Sequence, residues 1–347
     1  MIWLKLLLLP FYFIYSLFVY IRNSLFDYGF FSSTKFKIPV ISVGNLCVGG
    51  SGKTPHVEYL VDHLIKSKSV SVLSRGYGRK TNGFLKVNPD SDYLNVGDEP
   101  LQIASKFPAA SVAVSEKRSF GIKELLKEKI DVVILDDAFQ HRWVKPGLNI
   151  LLTKYNDLFI NDNLIPLGRL REHKSCYLRA DLIVVTDTPN PLLPLDEHRL
   201  VEQISPMFYQ KVCFSYFKYL QPKSLFTDDK KTLENSSIIL VTGIANSHSL
   251  IEYIESEKGK IKHHHNFRDH YNYKTKDIKK IIQSFSSISN SDRLILTTEK
   301  DAVRLKKYKE YFDGIPIYFI PIQVKFHGKT NFNSLINEYV EENNFRN

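Results

Sequence analysis

The chain has 347 residues, enough for two domains, and its 43% hydrophobic content excludes both a polytopic membrane protein and a disordered chain. The net charge of +10 points to an anionic partner: nucleic acid, an acidic membrane surface or a phosphorylated substrate. The three cysteines, Cys47, Cys176 and Cys213, have no pairing or metal-ligand spacing, which fits a reducing compartment without structural zinc.

Residues 2–21 are nearly all apolar, interrupted by Lys5, Pro10 and Ser16. A helix of about 20 residues is long enough to cross a bilayer. The run is too long for a signal peptide, and no small-residue cleavage site follows it. With no polar face and many aromatics, it is a poor core helix. A spanning helix is one arrangement. A helix lying in one leaflet is another, because Pro10 predicts a kink and Trp3, Tyr12, Tyr15 and Tyr20 suit an interface. In either arrangement Arg22, Lys35 and Lys37 put the next domain on the cytoplasmic side.

Residues 39–43 predict a strand, and 55–66 a helix. Between them lies GNLCVGGSGKT. Glycines let backbone N–H groups turn inward around a phosphate, and the helix N-terminus adds positive potential. Gly49, Gly50, Ser51 and Gly52 form the cradle. Lys53 supplies charge for the β/γ-phosphates and Thr54 a hydroxyl for Mg²⁺. The strict phosphate-loop pattern wants glycine where this chain has Cys47.

Further strands are predicted at 70–74, 111–115, 131–135, 148–153 and 182–186, with helices at 99–107 and 120–129. Apolar strands alternating with helices argue a parallel sheet covered on both faces. Segments 209–219 and 315–326 read as two linker strands. They flank a second βα pattern: strands at 238–241 and 294–298, and helices from about 247, at 278–285 and from 299. The predicted architecture is α/β. A membrane-associated helix (1–26) precedes a phosphate-loop domain with a parallel sheet (27–208). A smaller α/β domain (220–314) sits between the linkers, and a closing helix lies in 327–347.

Asp136 and Asp137 end an apolar strand, where a phosphate-loop protein holds Mg²⁺ or its waters. Gln140-His141-Arg142 follows them; His141 reads equally as a functional group or a cap. Asp98 begins a helix and reads as an N-cap or as a general base for a hydroxyl proton. Arg75 and Arg79 in SRGYGR, and Arg171 in PLGRLRE, suit anionic groups or solvated turns. Asp269-His270 lets a carboxylate orient an imidazole, or bear directly on a reacting hydroxyl. His263-His264-His265 reads as a solvated strand edge rather than a metal site.

Taken together, VGNLCVGGSGKTP, SRGYGR, GDEP, VILDDAFQH, PLGRLRE, FRDHYNY and TTEKDAV closely resemble the tetraacyldisaccharide 4′-kinase family of Gram-negative bacteria. The family's loop also lacks the first glycine, so Cys47 is no departure. The resemblance implies a membrane-associated kinase on the cytoplasmic face of the inner membrane. It would transfer the γ-phosphate of ATP to the 4′-hydroxyl of a tetraacylated glucosamine disaccharide 1-phosphate, a lipid A precursor. It also implies that Lys53 and Thr54 contact phosphates and Mg²⁺, and that Asp136 and Asp137 serve the metal. Asp98 and His270 would activate the acceptor from two domains that close together. Arg75, Arg79, Arg118 and Arg171 are the expected anion contacts. A monomer on an anionic membrane surface is expected, without nucleic acid. The competing readings are a membrane-bound ATPase switch and a lipid-surface binding module. Val48 stands where the switch family carries its signature lysine. Intact Lys53, Thr54, Asp136 and Asp137 oppose the binding module.

Overall fold

The computed structural model describes residues 2–328 and 331–344, without the side chains of 2–5 and 344. The interfacial role expected of Trp3 and the last residues of the 327–347 tail lie outside the described residues.

Strand Val40–Asn45 is buried along its whole length and lies inside the large sheet. On one side it pairs parallel with Val132–Asp136; Val70–Ser74, Ser111–Val114 and the antiparallel edge Leu85–Val87 follow. On the other side it pairs parallel with Leu148–Lys154, followed by Leu182–Thr186, Lys211–Tyr219 and the antiparallel edge Ile322–Phe326. The period of two sorts each strand between two cores. Ile41, Val43, Val132 and Ile134 pack beneath helices Lys53–Leu64 and Asp98–Lys106, while Val40, Val133 and Leu135 pack under helix Arg118–Leu125. Each fully buried Val, Leu or Ile contributes roughly 1.5–3 kcal/mol, so both faces resist polar substitution. The C-terminal ends of Val40–Asn45 and Val132–Asp136 meet where the chain's winding reverses, the crevice in which such sheets bind ligands.

The second sheet runs Lys260–Asn266, Ser237–Thr242, Arg293–Thr298, Ile317–Ile320 and Lys223–Ser224, with only the last antiparallel. Segments 209–219 and 315–326 do more than connect. Lys211–Tyr219 and Ile322–Phe326 close the large sheet, and Ile317–Ile320 belongs to the small one, so the returning chain changes sheets at Pro321. Helix Phe332–Asn344 seats Phe332, Ile336 and Val340 on the large core. The histidine tract lies on the edge strand of the small sheet. His264 and His265 meet the hydroxyls of Thr242 and Ser284 at 2.8 and 3.0 Å.

The N-terminal helix runs from Ile2 to Asp27, longer than its apolar run. Its last turns hold because they dock on the large domain. Val19, Asn23 and Phe26 are buried, and Tyr12 and Tyr15 pack against the core cluster that contains Leu200 and Ile204. Arg22 donates to the Gln140 carbonyl at 2.7 Å, and Arg142 reaches back to Asp27 at 2.6 Å. Leu7, Phe11, Ile14, Phe18 and Ile21 form an exposed apolar stripe at helical spacing. The segment Leu6–Asp27 is long and apolar enough to cross a membrane.

Candidate active site

The phosphate loop needs glycine for two reasons. Gly49 and Gly52 adopt φ of 118° and 80°, where other residues are strained, and a Cβ on Gly52 would stand 2.6 Å from Cζ of Phe217. Helix Lys53–Leu64 starts at Gly52 with no side-chain cap among the described residues, which leaves its first N–H groups facing the loop. His56 staples the loop from below. Its Nδ1 donates to the Gly52 carbonyl at 2.7 Å, and its Nε2 accepts from the Ser215 hydroxyl at 2.9 Å. Burial drives its pKa down to about 4, with the Gly52 hydrogen bond opposing. Lys53 Nζ lies 3.4 Å from Asn45 Oδ1 and 3.7 Å from Asp137 Oδ1, so the loop lysine and the second carboxylate share one crevice.

Asp136 ends its strand at 1% exposure. Ser74 donates to its Oδ2 at 3.1 Å, while Oδ1 is buried without a partner among the described residues. Burial, then the charges of Glu99 and Asp137, push its pKa up to about 7. Asp137 stands in the left-handed region at φ 45°. Burial raises its carboxyl, but Lys53 and Arg171 outweigh that and hold it below the usual range. No group of three or more His, Cys, Asp or Glu among the described residues could hold a metal unaided. A phosphate-loop Mg²⁺ needs only a hydroxyl and a carboxylate beside phosphates and waters. Thr54, the orphaned Asp136 Oδ1 and Asp137 fit that need.

The third part of the crevice crosses the domain boundary. Asp98 opens helix Asp98–Lys106 behind Gly97, whose φ of 94° only glycine adopts freely. Gly97, not Asp98, occupies the N-cap. Asp98 instead turns its buried carboxylate toward the small domain, where His270 Nδ1 stands 3.0 Å from Oδ2 and 3.2 Å from Oδ1. His270 sits in the loop after strand Lys260–Asn266, strained at φ 56°. Lys300 Nζ contacts His270 Nε2 at 2.9 Å and Glu99 Oε1 at 3.1 Å. Burial alone would raise Asp98. The hydrogen bond from His270 and the charges of Lys300 and Arg304 overcome it and hold the pKa at about 2. Arg304 is aimed by its own staple: Nη2 donates to the Gly243 carbonyl at 3.0 Å and to Asp301 at 2.6 Å.

The expected arginines divide. Arg171 forks onto Asp137 at 2.9 and 3.2 Å and also reaches Asn45, so it lines the crevice. Arg75 is exposed beside the same crevice, and its charge bears on His141 and Arg118. Arg79 turns inward onto Glu116 and the Gly83 carbonyl. Arg118 departs furthest from expectation. At 2% exposure it donates to the Ser115 and Asp136 carbonyls at 2.5 and 3.0 Å, so it fixes the strand end from inside rather than meeting an anion. Gln140 donates to the Asn45 carbonyl at 2.8 Å. His141 is driven down to about 4 by burial and by Arg118, Arg22 and Arg75, so it remains neutral. Glu99, Lys300, Arg304 and Tyr77, whose ring centroid is 5.0 Å from that of His270, were not singled out from the sequence. Each lies beside a motif residue, which is the signal that could have marked it.

A family model described as tetraacyldisaccharide-1-P 4′-kinase matches residues 4–341. A tetraacyldisaccharide 4′-kinase of Bacteroides fragilis is 42% identical over 97% of this chain and 93% of its own length. One from Flavobacterium johnsoniae is 39% identical over 98% of both chains. The crystal structure of apo-form LpxK from Aquifex aeolicus in complex with ATP superposes with a TM-score of 0.77 at 32% identity, covering 97% of this chain and 99% of that one.

Proposed function

The chain belongs to the tetraacyldisaccharide-1-P 4′-kinase family, and from that premise we propose how its crevice works. The enzyme is a kinase that transfers the γ-phosphate of ATP to the 4′-hydroxyl of a tetraacyldisaccharide 1-phosphate in lipid A synthesis. Gly49–Thr54 and the helix N-terminus bind the ATP phosphates, with Lys53 neutralising the transferred group. Thr54, Asp136 and Asp137 would hold Mg²⁺, which supplies charge neutralisation at the β/γ-phosphates.

One observation carries the assignment of roles: the Asp98–His270 contact joins the two domains at 3.0 Å. Asp98 orients the acceptor hydroxyl and takes its proton. With a pKa of about 2 it is a weak base, so it acts mainly through orientation, with proton transfer late in a loose transition state. Domain contact is therefore a condition of turnover. Arg171 and Arg75 neutralise anionic groups of nucleotide and lipid, and Tyr77 packs near the acceptor.

The lipid reaches the crevice from the cytoplasmic face of the inner membrane. The exposed stripe of the N-terminal helix lies in one leaflet, while its other face stays docked on the kinase domain. That docking supports a lying helix over a spanning one, because the last turns are committed to protein. The net positive charge adds attraction to anionic lipid. The enzyme acts as a monomer.

The test is substitution. Lys53→Ala and Asp98→Ala should each abolish labelling of the lipid disaccharide while circular dichroism shows the native fold, and Asp98→Ala should still bind ATP. Full activity in Asp98→Ala would remove the assignment.

A further inference from the structure

We infer that Lys300 is a positioning residue that holds His270 in its neutral form, with the ring proton on Nδ1 directed at Asp98. This rests on the Asp98–His270 reading and adds to it a definite proton location.

An ammonium has three protons to donate and no lone pair. Lys300 finds three acceptors: His270 Nε2 at 2.9 Å, Glu99 Oε1 at 3.1 Å and Asp269 Oδ1 at 3.3 Å. Its side chain is 17% exposed, so water competes little for those positions. Burial works against its charge, but Glu99, Asp98 and Asp269 outweigh that and hold the lysine above its ordinary pKa. A cation at 2.9 Å cannot face another N–H, so Nε2 presents its lone pair. The remaining ring proton is then on Nδ1, where Asp98 accepts it at 3.0 Å.

Without the ammonium the surroundings favour a different state. Asp98 lies 3.0 Å from Nδ1, while Glu99 and Asp269 lie 4.0 and 3.9 Å from Nε2. Three carboxylates around one ring would draw a second proton onto it. Arg304, whose Nε lies 3.7 Å from Asp98 Oδ2, is a further cation beside the carboxylate, while Lys300 is the one in contact with Nε2 among the described residues. Lys300 thus decides whether His270 is imidazole or imidazolium. The chemical consequence is specific: His270 orients Asp98 by donating to it and does not receive the acceptor's proton.

The experiment is ¹⁵N NMR of the full-length protein in detergent, with histidine labelled on its ring and His270→Ala used to assign the signal. At neutral pH the native enzyme should show one protonated ring nitrogen, Nδ1, and one bare one, Nε2. Lys300→Met should show both protonated, with kcat reduced about 10²-fold at unchanged KM for ATP. Lys300→Arg should restore the neutral pattern and most of the rate. A native spectrum with both nitrogens protonated, or with the proton on Nε2, would overturn the inference. So would an unchanged ring in Lys300→Met. If Lys300→Met does not fold, the native spectrum alone decides. If His270→Ala is fully active while the spectra behave as expected, the dyad reading fails and the proton assignment stands.

Discussion

Arg171 grips Asp137 through both terminal nitrogens, Nη2 to Oδ1 at 2.9 Å and Nη1 to Oδ2 at 3.2 Å. This fork sets the second carboxylate of the crevice opposite Lys53, and the same Nη2 reaches the Asn45 carbonyl at 3.0 Å. A planar guanidinium can bridge these groups and an ammonium cannot. Arg171→Lys should therefore behave nearly as Arg171→Ala, each lowering kcat by roughly 10²-fold, in the range for losing one preorganised donor. Steady-state kinetics with saturating ATP measure this. Near-native turnover in Arg171→Lys would show that charge alone suffices.

Gly52 should tolerate no side chain. Alanine would meet Phe217 at 2.6 Å and be strained at φ 80°. Gly52→Ala should lose ATP binding in a fluorescent-nucleotide titration. Adding Phe217→Ala removes the clash but not the strain, which costs about 1 kcal/mol or more, so rescue should be partial. Complete rescue would mean that only the clash mattered.

The His56 staple gives the fold an acid limit. In the unfolded chain histidine takes a proton at an ordinary 6.5, but folded His56 does so only at about 4. Between those values the unfolded state binds more protons, so stability falls as pH drops through the window; above it nothing further is gained. The loss amounts to about 3 kcal/mol. His141 acts in the same window and direction. Chemical denaturation from pH 7 to pH 4 should show the decline, and His56→Asn, which keeps a donor toward Gly52, should flatten part of it. An equally steep decline in His56→Asn would place the acid sensitivity elsewhere.

The two faces of the N-terminal helix should separate by mutation. Phe11→Glu with Phe18→Glu alters the exposed stripe and should weaken sedimentation with anionic vesicles without moving the melting temperature. Val19→Glu buries a charge against the kinase domain and should destabilise the protein by several kcal/mol. Equal effects on vesicle binding and melting from both changes would contradict the two-face arrangement.

Contiguous motifs made much of this crevice legible in the sequence. The glycine loop, Asp136-Asp137 and Asp98 each sit at a strand or helix end, where local pattern fixes exposure and direction. The arginines were harder. Sequence displays charge but not burial, so Arg118, which donates inward to the Asp136 carbonyl, looked the same as exposed Arg75. Lys300 and Glu99 lie within recognisable motifs, yet their roles come from a contact across the domain boundary. The segments read as linkers are extended as expected. Their membership of two sheets depends on pairing with Leu182–Thr186 and Arg293–Thr298, which periodicity within each segment does not encode.

The most direct test of the whole account is transfer of ³²P from γ-labelled ATP to purified tetraacyldisaccharide 1-phosphate, with the label located on the product by mass spectrometry and NMR. The expected result is a single labelled lipid carrying the new phosphate at the 4′ position, formed by the native enzyme and lost in Asp98→Ala. Brisk ATP hydrolysis with no labelled lipid, or label at another hydroxyl, would contradict it.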